Sequence, residues 1–147
     1  MESMSKIEAV LFDLDGTLLD SFPDFLASLE NINIKSSSKK IDESIVRANV
    51  SDGSSKLLKL VFDIDTDDEG FDEHIRNFLN EYEKNILMHG NLFLGVSDLL
   101  NFLLDKEIPY GIVTNKPRKY TEIILKKSSL LRPVSYTHLT LPTILRV

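Results

Sequence analysis

The sequence predicts an α/β fold: a parallel sheet interrupted after its first strand by an all-helical insertion. Three observations point to it. An apolar run inside "IEAVLF" (residues 7–12) reads as a strand buried on both faces and stops at Asp13 and Gly16. A polar stretch with helical periodicity then fills residues 20–90. From residue 91 the order becomes helix, strand, helix, as an α/β core requires.

Within the insertion, "PDFLASLENI" (23–32) predicts a first helix, with Pro23 near its start. "NIKSSSKK" (33–40) has the composition of a loop. "ESIVRANV" and "SSKLLKLVF" are short helical candidates on either side of the turn signal Ser51-Asp52-Gly53. In "GFDEHIRNFLNEYEKNILMHG", Phe71, Ile75, Phe78, Leu79, Tyr82 and Ile86 keep one helical face. Asp72 and Glu73 suit that helix's N-terminus, and Gly90 suits its stop. "GVSDLLNFLLDKEI" is an amphipathic helix and "PYGIVTN" a second buried strand. "KPRKYTEIILKKSSLL" is a last helix, with Pro117 in its first turn. The expected organisation is core at 1–19, helical insertion at 20–90, core again at 91–133, and a non-native tail at 134–147.

The 147 residues suffice for one domain with a real core, and 42% apolar with 27% charged residues is ordinary for a globular chain. A net charge of −6 without a basic stripe argues against a nucleic-acid partner. No stretch approaches the roughly 20 apolar residues of a membrane span. The N-terminus lacks a basic start followed by an apolar segment, so a cytoplasmic protein is expected. With no cysteine, disulfides, thiolate metal sites and a cysteine nucleophile are excluded.

Asp13 and Asp15 stand two apart at the end of the first strand, so both can face the space beyond its carboxyl end. In open α/β sheets that is where ligands bind. Two carboxylates so close favour a bound cation or a shared proton. Without cysteines, and with His74, His89 and His138 scattered, oxygen donors point to Mg²⁺ rather than zinc. The acidic stretch 63–70 does not read as a calcium loop, because Asp68 stands where Gly is required and His74 where Glu is.

"DLDGT" (13–17), following a hydrophobic strand, resembles the first signature of the haloacid dehalogenase-like phosphohydrolases. "GIVTNK" (111–116) is similar to their second signature. The resemblance implies a Rossmann-like core and a phosphomonoester substrate. It makes Asp13 the nucleophile that forms an aspartyl-phosphate, and Asp15 the general acid and then base. It gives Mg²⁺ to the Asp13 carboxylate and the Asp15 backbone carbonyl, and phosphoryl oxygens to Thr114 and the Asn115 N–H. An aspartate at the second position resembles the hydrolases and phosphotransferases of the family; its ion pumps carry Thr there.

The helical insertion resembles the small cap of the phosphoglycolate phosphatase-like branch. Its substrate-selecting loop would hold Asp52, Gly53 and Ser54. The branch's usual proline is replaced by Leu94. The run from Phe62 to Leu100 also looks like N-acetylmuramic acid 6-phosphate phosphatases. A small phosphorylated metabolite is therefore the expected partner. A sugar phosphomutase of the same fold and a non-catalytic phosphate-binding protein are the alternatives.

The family also uses a later Lys and an acidic pair. Lys126 and Lys127 come too early for the first, and no GDxxxD-like sequence follows residue 116. Residues 134–143, "VSYTHLTLPT", resemble one reading frame of transposase-end sequencing adapter DNA. A natural frame interrupted near Arg132, and a chain inactive by itself, are expected on that basis.

Overall fold

The computed structural model describes residues 7–36 and 40–128. The adapter-like tail, residues 134–147, lies outside them. The described chain folds as two compact units. One holds the residues up to Leu18 and from Leu92 onward; the other is Leu19–Asn91.

In the first unit, β1 (Val10–Phe12) lies parallel to β4 (Tyr110–Ile112), with Val10 opposite Tyr110 and Phe12 opposite Ile112. Parallel pairing requires a crossover, and α5 (Val96–Asp105), buried through Val96, Leu100 and Leu103, stands before β4. Helix α6 (Arg118–Lys127) follows, burying Tyr120, Thr121 and Ile124. All of β4 is buried, but β1 is not. Leu11 is 67% exposed, correcting the expectation of a strand covered on both faces. Val10 and Phe12 are half-buried, whereas Leu11 points to the opposite face of the strand, which is left uncovered. The strand is also shorter than residues 7–12, and Pro117 stands just before α6 instead of within its first turn.

The second unit is helical: α1 (Phe22–Ser36), α2 (Glu43–Asn49), α3 (Ser54–Phe62) and α4 (Phe71–Asn85), with a 3₁₀ turn at Val50–Asp52. Helix α1 runs through Ser36, into the stretch expected to be a loop. Its buried face carries Phe22, Phe25, Leu29 and Ile32 at helical spacing. Phe25 packs against Phe78 and Tyr82 of α4, with ring centroids 5.8 and 4.3 Å away. Arg47 of α2 lies over the Phe22 ring at 3.9 Å and pairs with Asp20 at 3.5 Å. Asp42 caps α2, its carboxylate accepting from the Ser44 N–H at 2.9 Å.

Helix α4 ends at Asn85, not at Gly90; Ile86 leaves the helical region and Leu87 takes φ 57°. Gly90 is required for another reason. A Cβ there would meet Asp24 Oδ2 at 2.7 Å and the Asp20 carbonyl at 2.8 Å. Two short strands, β2 (Leu19–Asp20) and β3 (Asn91–Leu92), form a second sheet. Just outside them, the Phe93 N–H donates to the Leu18 carbonyl at 3.1 Å. The chain therefore leaves and re-enters the first unit at neighbouring points. No described helix is long and apolar enough to cross a membrane.

Candidate active site

The register of β1 and β4 brings both strands to their carboxyl ends at the same level. The Val113 N–H donates to the Phe12 carbonyl at 2.8 Å, extending the ladder by one bond. Asp13, directly after β1, and Thr114, two residues after β4, therefore both leave the same end of the strand pair.

After β1 the chain turns sharply. Gly16 takes φ 81°, a left-handed conformation that costs glycine little and other residues more. The Leu18 N–H returns to the Leu14 carbonyl at 3.0 Å, and Leu14 and Leu18 are buried beneath the turn. These apolar anchors hold Asp13 and Asp15 at the surface end. Asp13 is exposed and Asp15 half-buried. Partial burial of its carboxyl lifts Asp13 above the ordinary carboxylate value. The Leu14 N–H opposes that shift, the Asp15 charge adds to it, and the Lys116 charge opposes it.

After β4 the Thr114 hydroxyl accepts from the Lys116 N–H at 3.1 Å. Its own proton is left to donate elsewhere. Thr121, buried at the start of α6, donates to the Lys116 and Pro117 carbonyls at 3.4 Å and so secures the turn from the other side. Asn115 is exposed at the tip.

The two motifs are joined by Lys116, whose role the sequence reading missed. Its ammonium donates to both Asp15 oxygens, at 3.0 and 2.9 Å, across 101 positions of sequence. The lysine side chain is only 4% exposed and that of Asp15 15%. Asp15 is thus paired with a protein cation. The signal was present in "TNK" as a cation two residues beyond Thr114. Lys126 and Lys127 sit in the last turn of α6.

Asp52, Gly53 and Ser54 belong to the second unit. Asp52 pairs with Lys56 at 2.6 Å, Gly53 takes φ 95°, and Ser54 is the first residue of α3.

The donor set can be tested for Mg²⁺. Asp13 offers its carboxylate, whereas both Asp15 side-chain oxygens are engaged with Lys116, leaving its backbone carbonyl. These hard oxygen donors fit Mg²⁺ in kind. Among the described residues no group of three or more His, Cys, Asp or Glu converges.

Comparison with known proteins shows the family. The chain is 33% identical over 125 residues to an N-acetylmuramic acid 6-phosphate phosphatase of Pseudomonas putida, which covers 85% of this chain and 56% of that protein. It is 38% identical over 117 residues to a phosphoglycolate phosphatase of Xanthomonas campestris, covering 80% of this chain and 52% of that one. The chain therefore spans about half the length of these relatives. A crystal structure of a predicted phosphoglycolate phosphatase from Haemophilus somnus shares the fold, with TM-score 0.77 and 23% identity over 92% of this chain and 64% of that one. The sequence profile of the haloacid dehalogenase-like hydrolases matches residues 10–137, and the chain belongs to that family.

Proposed function

We propose that the enzyme to which this chain belongs hydrolyses a small phosphomonoester, with Asp13 as nucleophile and Asp15 as general acid and base, and that this chain by itself is inactive. The observation that carries this reading is the convergence of Asp13, Asp15 and Thr114 at the carboxyl ends of two paired parallel strands. Attack by an Asp13 oxygen on phosphorus forms an aspartyl-phosphate and breaks the ester P–O bond. Asp15 gives a proton to the departing alcohol oxygen, then takes one from the water that attacks the aspartyl-phosphate phosphorus, breaking the Asp13 O–P bond and releasing inorganic phosphate and the free Asp13 carboxylate. The Thr114 hydroxyl, already oriented by its bond from Lys116, donates to a phosphoryl oxygen, and the Asn115 N–H joins it. Mg²⁺ would be held by the Asp13 carboxylate and the Asp15 carbonyl, and when bound it offsets phosphoryl charge.

The unit Leu19–Asn91 is read as the cap that selects the substrate, with Asp52, Gly53 and Ser54 in its selecting loop. The two named relatives act, by their names, on phosphoglycolate and on N-acetylmuramic acid 6-phosphate. Both compounds carry a carboxylate besides the phosphate, so a phosphorylated hydroxy acid or acidic sugar is the substrate class proposed.

Phosphate release from both compounds, with Mg²⁺, tests the reading on this chain and on the longest reading frame that contains it. Asp13→Asn is expected to lower turnover at least about a thousandfold, as loss of a covalent nucleophile does. Turnover that survives Asp13→Asn refutes the assignment.

A further inference from the structure

Two carboxylates at a phosphate site pose an electrostatic problem, because each repels the anion that is to bind. Asp13 and Asp15 contribute two negative charges, and a bound phosphate group brings about −1.5 to −2 more. Lys116 lies within hydrogen-bond distance of both Asp15 oxygens and, like them, is largely withdrawn from solvent. In such surroundings a unit charge acts more strongly than in water. Counting Asp13, Asp15 and Lys116 together, the net charge of the cluster falls from −2 to −1. Its backbone N–H meanwhile fixes the Thr114 hydroxyl. One residue therefore both orients a phosphate donor and cancels the charge of the neighbouring carboxylate.

We propose that Lys116 is a positioning residue that lets the crevice accept a phosphate group by neutralising Asp15. It acts through Asp15, not by direct contact with the phosphate. The proposal rests on the phosphate reading of this site given above.

The test measures orthophosphate affinity by calorimetry at neutral pH in magnesium chloride, with circular dichroism reporting the fold of each variant. Lys116→Met is expected to weaken orthophosphate binding about tenfold or more, since it leaves an uncancelled charge close to the anion. Lys116→Met combined with Asp15→Asn should return to within about threefold of wild type, because the charge needing neutralisation is gone. A role in packing alone predicts no such rescue, so a double variant as weak as Lys116→Met overturns the proposal. Unchanged binding in Lys116→Met overturns it too, while leaving the phosphate reading intact. If Lys116→Met does not fold, Asp15→Asn decides: affinity raised about threefold or more supports the proposal. Affinity unchanged or lowered in that variant overturns it. Folded wild-type protein that binds no orthophosphate defeats the phosphate reading, and this proposal with it.

Discussion

Asp24 is 1% exposed, and its carboxylate is satisfied entirely by backbone. Oδ2 accepts from the Leu87 N–H at 2.8 Å, and Oδ1 from the His89 and Gly90 N–H groups at 2.9 Å each. A residue in the first turn of α1 thereby pins the segment that follows α4, including Leu87 at φ 57°. Asp24→Ala strands those donors in the interior and is expected to cost about 3–5 kcal/mol, read from denaturant midpoints. Asp24→Asn keeps one acceptor oxygen and should cost less. Asp13 behaves oppositely. Its folded value is raised above 3.8, so the fold favours the protonated form, and its contribution to stability falls as pH rises through the folded value. Asp13→Asn, measured at neutral pH in EDTA, should therefore raise Tm by about 1–2 °C. A lower Tm would show that the carboxylate is not strained in this site.

Helices whose apolar residues recur on one face were legible in the sequence because the period itself encodes burial. The expected span 54–62 became α3, and Phe78, Tyr82 and Ile86 of the α4 region are buried. Where a terminus depends on contacts distant in sequence, the local signal misleads. Gly90 reads as a helix stop, yet α4 ends at Asn85 and Gly90 is small because Asp24 and Asp20 crowd it. Ser36 reads as loop, yet α1 continues through it. For the site, the DxD pair and Thr114 stand out because polar residues directly follow apolar strand runs. Lys116 does not, since a lysine near a helix start has an ordinary solvated explanation. Only its meeting with Asp15, 101 positions away, gives it a role.

Each unit has its own buried set, and that of Leu19–Asn91 is rich in aromatics: Phe22, Phe25, Phe78 and Tyr82. Residues 19–91 expressed alone are expected to fold as a helical bundle with a single cooperative melt in far-UV circular dichroism. A core of that size rarely supplies more than about 3–5 kcal/mol. Phe78→Ala, which removes a fully buried ring at a cost of about 3–5 kcal/mol, should therefore unfold the isolated bundle. A broad, non-cooperative melt of the unsubstituted bundle would refute its independence.

The hydrogen bond from Phe93 to Leu18 also bears on how such a protein can change over time. It makes the whole helical unit a detour between two touching points of the main path. The entropic cost of closing a detour grows only with the logarithm of its length. The strand ends carrying Asp13 and Thr114 are therefore indifferent to how large the detour is. Bundles of different size can be inserted there like cassettes without displacing those strand ends.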